Sequence, residues 1–227
     1  MKGEPKPLSP ELLGREYRRR FQDLADYRRQ VWAVLCKDYF SSFVEPDSTV
    51  LDVGCGWGEF INQIDAAKKF AIDLNSDTRA HLASDVQLFH QDCSLPWPLE
   101  DESLDVVFSS NFIEHLHAKA QVESLMQEAF RTLRPGGKFV LLGPNIRYLP
   151  GAYWDFWDHH LAISDASLVE VLELSGFRIL ERLPRFLPYT MSGGRQVPIG
   201  LVRAYLKLPI LWPLIGKQFL VVGQKAL

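Results

Sequence analysis

The sequence predicts an α/β fold built on a doubly wound, mainly parallel sheet. Three observations carry this. Short apolar runs alternate with helical segments through the middle of the chain. The first of those runs ends in a cluster of glycines, at Gly54, Gly56 and Gly58. The next two end in acids, Asp73 and Asp92.

Residues 10–43 read as helical. Leu12, Tyr17, Phe21, Leu24, Val31, Leu35 and Tyr39 give an approximate helical repeat, interspersed with arginines. They define an N-terminal helical extension, 1–44, ahead of a main domain at 45–227. "VEPDS" is a turn. "TVLDVG" is then a short apolar run, as expected of a strand covered on both faces. "KFAIDL", "VQLFHQ", "LDVVFSS" and "KFVLLG" repeat the pattern. "AQVESLMQEAFRTL" is a helix closed by "RPGG", a stop signal followed by a turn. Beyond residue 150 come an irregular stretch, a helix at "DASLVEVLELSG", and two late strands at "FRILERL" and "KQFLVVGQKA". Between those strands lies a basic, apolar segment, 184–216. Its part "VPIGLVRAYLKLPILWPLIG" is long enough to raise the question of a membrane span. Arg203, Lys207, Pro209 and Pro213 argue against one and favour a short amphipathic helix.

At 227 residues and 47% hydrophobic, the chain can fill a sizeable core, which argues against disorder. Cys36, Cys55 and Cys93 are too few and scattered for a disulfide framework or a four-ligand zinc site, and fit a reducing, cytosolic compartment. The opening "MKGEPKPLSPELLGREYRRR" has no apolar core of the kind a signal peptide carries. Charge is uneven. Residues 182–227 hold seven cations and no acid, leaving 18 cations against 28 acids, or −10, in residues 1–181. This basic tail either meets an anionic partner, such as the inner face of a membrane, or folds onto the acidic body. Nucleic acid is disfavoured, because the arginines at 15, 18, 19 and 20 are offset by nearby acids and no reader motif appears.

"VLDVGCGWGEF" is the strongest local signal. Glycines after a strand allow a tight turn and bring a ligand close to bare backbone. A helix beginning just beyond would present amides to it. A dinucleotide loop, G-x-G-x-x-G, would place its third glycine at 59, where this chain has Glu59. Asp73 ends the strand that follows the glycine loop, at a distance that suits the hydroxyls of a ribose. Asp92 ends the third strand, where it suits an adenine amino group.

With these residues in place the chain resembles the class I S-adenosylmethionine-dependent methyltransferases. "VLDVGCGWG" looks like their first motif, and "LDVVFSSNFIEHL" and "RTLRPGGKFVLLGPN" their fourth- and fifth-strand motifs. The resemblance implies a Rossmann-like seven-stranded sheet with its last strand antiparallel. It implies S-adenosyl-L-methionine as cofactor and S-adenosyl-L-homocysteine as product. It places Asp52, Gly54, Cys55, Gly56, Asp73, Leu74, Asp92, Cys93 and Asn111 around the cofactor. "GEFIN", "SNFIEHL" and "YWDFWDHH" further resemble bacterial methyltransferases of cell-surface polysaccharide biosynthesis.

A hydroxyl acceptor benefits from a general base, for which histidine is suited near neutral pH. His115 follows the fourth strand, and His159 and His160 follow the fifth, on the edge where open α/β sheets bind ligands. Tyr148, Tyr153, Trp154 and Trp157 offer flat walls for a sugar or quinol-like ring. Asp155, Asp158, His159 and His160 contain metal-ligand types, but methyl transfer requires no metal and none is expected. The leading expectation is O-methylation of a glycan or lipid-linked sugar. The alternatives are a small aromatic or quinone-like acceptor, and a cofactor-binding scaffold without turnover.

Overall fold

The computed structural model describes residues 10–189 and 196–226. Two helices, α1 (Pro10–Phe21) and α2 (Ala25–Asp38), precede the first strand. The continuous helix expected over 10–43 is therefore divided, by a 3₁₀ turn at Gln22–Leu24. The strands follow as β1 (Thr49–Val53), β2 (Lys68–Ile72), β3 (Val86–Phe89), β4 (Leu104–Ser110), β5 (Leu133–Pro144), β6 (Phe177–Leu183) and β7 (Gln218–Lys225). A short helix α3 (Thr78–His81) lies between β2 and β3. Longer helices α4 (Lys119–Thr132) and α5 (Asp165–Leu174) precede β5 and β6. The segment before β7 carries α6 (Ile199–Leu206) and α7 (Trp212–Ile215), joined through a 3₁₀ turn at Pro209–Leu211.

The seven strands lie in the order β3-β2-β1-β4-β5-β7-β6. β1 through β5 are parallel, and β7 runs antiparallel between β5 and β6. This is the sheet that the sequence predicts. Its central strands are buried on both faces because successive side chains point to opposite sides. Val50 of β1 and Val222 of β7 join the core beneath α2, with Trp32, Leu35 and Phe40. Leu51 and Val221 join the other core, with Leu125 and Met126 of α4 and Leu172 of α5. Asp52 has the parity of Val50, so its side chain faces the α2 layer from the middle of a buried strand.

Two local expectations are corrected. The glycine loop opens into a run of turns rather than an α-helix. Gly56 and Gly58 both have positive φ, which breaks the helical path. "RPGG" lies within the span of β5 instead of ending before it, and the β4–β5 register shifts between Leu104 and Val106 to absorb it.

Candidate active site

One cavity of about 720 Å³ opens at the carboxyl ends of the parallel strands, where side chains from successive strand ends converge. Asp52, Gly54, Cys55, Gly56, Asp73, Leu74, Asp92, Cys93 and Asn111 all line it. So do His115, His159 and His160.

At one end the backbone does most of the shaping. Gly54 and Gly56 have φ of 69° and 57°, a conformation that costs other residues dearly. Each also admits a neighbour: a Cβ on Gly54 would lie 2.2 Å from the Phe112 ring, and one on Gly56 would lie 2.3 Å from Tyr17 Oη. The space beside these two glycines is thus taken by protein side chains, where the approach of a ligand is expected from the sequence. Asp73 faces the loop and accepts hydrogen bonds from the amides of Gly56 and Asn75, each at 2.7 Å. Burial pushes its carboxyl up to about 6 against those two amides. Asp92 accepts from both the amide and the hydroxyl of Ser94. The fully enclosed Asp52 carboxyl is held well above its ordinary range, by burial first and then by the charges of Glu59 and Asp73. At the end of β4, Asn111 has a positive φ of 49° and donates its amide to Leu142 O. That strained turn carries the chain on to His115.

The other end is organised by Asp158. His115 Nδ1 lies 3.0 Å from the Asp158 carbonyl oxygen and 3.2 Å from its carboxylate. Arg20 of α1 grips the same carboxylate with two nitrogens, at 2.7 and 2.8 Å. Burial disfavours charge on His115, yet the hydrogen bond and charge of Asp158, with Glu114, push it up to about 9. His115 is therefore an imidazolium at neutral pH. Burial and then the neighbouring His115 charge push His159 down to about 4. His159 is buried, stacks on Phe156, and leaves Nδ1 without a hydrogen-bond partner among the described residues. His160 is exposed, with its ring 4.1 Å from that of His117. Its pKa is lowered by burial of part of the ring and by His117. Glu114, His115 and His159 also bring potential ligand atoms within 4.8 Å of one another, a grouping that differs from the Asp155, Asp158, His159 and His160 set considered from sequence.

The four expected aromatic walls lie elsewhere. None of Tyr148, Tyr153, Trp154 and Trp157 lines the cavity. Tyr153 is fully buried, donates to Leu161 O and accepts from the Ile163 amide, so its hydroxyl braces the loop. Tyr148 packs beneath the Arg185 guanidinium, and Trp157 is 86% exposed. Other aromatic residues line it instead, among them Tyr17, Phe156, Tyr189 and Tyr205. Arg20 is the functional candidate that sequence reasoning missed. Nothing near it in the chain signals a partner 138 residues away.

The chain is similar to known methyltransferases. A family described as "Methyltransferase domain" matches residues 51–141. A probable S-adenosylmethionine-dependent methyltransferase of Mycolicibacterium smegmatis is 37% identical over 144 residues, 60% of this chain and 54% of that protein. A fatty-acid O-methyltransferase of the same organism is 29% identical over 185 residues, 74% of this chain and 63% of that protein. The chain thus spans little more than half the length of the first relative and under two thirds of the second. A chain in the solved complex of the Haloferax volcanii Trm112 methyltransferase activator with a methyltransferase superposes with a TM-score of 0.68 at 19% identity. That match covers 94% of this chain and 95% of the other, and is a likeness of fold.

Proposed function

We propose that the chain carries a class I S-adenosylmethionine-dependent methyltransferase domain and that the protein methylates an oxygen of an amphiphilic acceptor, with a lipid-linked sugar as the leading substrate. One observation carries the reading. The cofactor cradle, the histidine cluster and an apolar wall including Val31, Leu35, Leu187, Val202 and Leu211 share a single cavity. A polar head at the histidines and hydrocarbon along that wall would satisfy both linings.

S-adenosylmethionine, when bound, supplies a methyl group already activated on a sulfonium. The protein's task is then alignment and proton management. Gly54 and Gly56 present backbone to the cavity, and Asp73 and Asp92 offer carboxylate oxygens to hydroxyl and amino donors. His160, uncharged at neutral pH, takes the proton of the acceptor hydroxyl. His115 keeps its proton and, with Arg20, favours an oxygen-rich head. A second reading follows from that same fixed charge. A carboxylate acceptor would be drawn to it and would need no base, as for a fatty acid.

A methyl-transfer assay across lipid-linked sugars, fatty acids and small phenols tests these readings, with and without a chelator. We expect lipid-linked sugars to be methylated whether or not chelator is present. Turnover should rise with pH through a limb below the ordinary imidazole range, and His160→Ala should remove that limb. Transfer to fatty acids alone, indifferent to His160→Ala, would select the carboxylate reading. Preference for phenols would select a small aromatic acceptor. Cofactor binding without transfer to any oxygen would leave only the scaffold.

A further inference from the structure

The segment carrying α6 and α7 has two faces that behave differently. Its inner face is fixed. Leu206 is buried, Tyr205 donates its hydroxyl to Phe186 O, and Trp212 donates Nε1 to Tyr205 O while packing edge-on against Phe186. Arg185 reaches across and donates to the carbonyls of Leu214 and Gly216, closing the far end of α7 onto the body. Among the described residues the outer face has no such cover. Leu201, Leu208, Ile210, Leu214 and Ile215, close together in the chain, are between 47% and 77% exposed. Soluble surfaces rarely gather so many large aliphatic side chains without a use for them.

Two further facts identify the occupant. Leu201, Leu208 and Ile215 also line the cavity, so the exposed patch continues into the apolar wall without a polar break at these positions. The chain from 182 onward contains no acid. Arg203 pairs with Asp38, but Lys207 and Lys217 are exposed and make no ion pair among the described residues. Aliphatic side chains flanked by unpaired lysines match the boundary between hydrocarbon and anionic headgroups. Among the described residues no helix is long and apolar enough to cross a membrane.

We infer that the outer face of α6 and α7 docks on an anionic lipid bilayer, and that the hydrocarbon of the acceptor enters the cavity through this face. The entry route rests on the amphiphilic-acceptor reading, whereas the docking does not. The full chain should float with phosphatidylcholine vesicles that contain phosphatidylglycerol, and much less with phosphatidylcholine alone. High salt should weaken the binding. The double variant Ile210→Asp, Leu214→Asp should partition roughly tenfold less or worse, and Lys207→Glu should lose several-fold. Calorimetry with S-adenosylmethionine should give wild-type affinity in all of these variants, which shows that they are folded. Failure of wild-type protein to bind anionic vesicles at low salt overturns the inference. Equal binding by the double variant does so too. So does a wild-type dimer that the double variant converts to monomer without vesicle binding, which would make the patch an interface between copies. Vesicle binding without cofactor binding would instead fault the methyltransferase reading and leave the docking surface standing.

Discussion

At one end of the cavity, Gly54, Gly56 and Asp73 lie close together in the chain and are held by backbone geometry. At the other end, Arg20, His115 and Asp158 come from three distant segments and are held by side-chain charge. The first arrangement tolerates almost no change in residue type, because positive φ and close packing are set by the main chain. The second depends on partners that must each arrive by folding. The difference teaches where the chain is rigid by construction and where it is rigid only when every partner is present.

The largest effect should come from breaking the backbone-held end. Asp73→Ala removes a carboxylate that both orders the Gly56 and Asn75 amides and faces the cavity. Hydrogen bonds to a charged group are worth roughly 1.5–3 kcal/mol each, so losing two to the cofactor should weaken binding by about 100-fold or more. Asp73→Asn, which keeps one acceptor oxygen, should fall between. Calorimetry with S-adenosylmethionine reads both, and unchanged affinity in Asp73→Ala would remove the cofactor site from this end.

The charge-held end should show its weakness as lost stability and a changed pH response. Asp158→Asn leaves Arg20 and His115 without their shared anion. Breaking a buried pair costs about 3–5 kcal/mol, and the partial exposure of Arg20 and His115 lowers this to roughly 2–3 kcal/mol. The Asp158 carboxyl is depressed by His115 and Arg20, against burial, so its contribution is present above the ordinary carboxylate pKa and is lost in acid. His115 is raised, so its contribution is full below the ordinary imidazole pKa and disappears as pH climbs through about 9. The gap between wild type and variant in urea unfolding should therefore be widest between roughly pH 4 and 6.5, and should shrink toward pH 9. A gap independent of pH would mean that Asp158 acts through packing rather than charge.

The same contrast explains what is legible in the sequence. The parallel sheet, the glycine loop and the strand-end acids are readable because periodicity and glycines are local signals, whereas the antiparallel last strand is what the family resemblance implies. The turn run after Gly54 is not, because helix formation there is blocked by the positive φ of Gly56 and Gly58, a conformation no spacing rule reports. The histidines are recognisable as a group, but their protonation is not. His115 is raised by an acid 43 positions away, and His159 is lowered by burial and by His115 itself. The aromatics of "YWDFWDHH" mislead for a simpler reason. Composition signals a cluster, while the 3₁₀ turn at Ala152–Asp155 decides which rings face inward, and Phe156 is the one that lines the cavity.

The smallest effect is expected at Trp157. Trp157 lies in the charge-held half, directly beside Asp158, and at 86% exposure it touches little. Trp157→Ala should change stability by less than about 0.5 kcal/mol, as for other surface positions away from caps and networks. It should also leave the acceptor KM near its wild-type value, whereas Phe156→Ala removes a ring that stacks on His159 and lies 5.0 Å beneath the Arg20 guanidinium. Steady-state kinetics on the two variants separates them. A raised KM in Trp157→Ala, with Phe156→Ala unaffected, would mean that the acceptor lies against the outer surface of this loop. The distant-partner arrangement around Asp158 would then serve only to hold the loop.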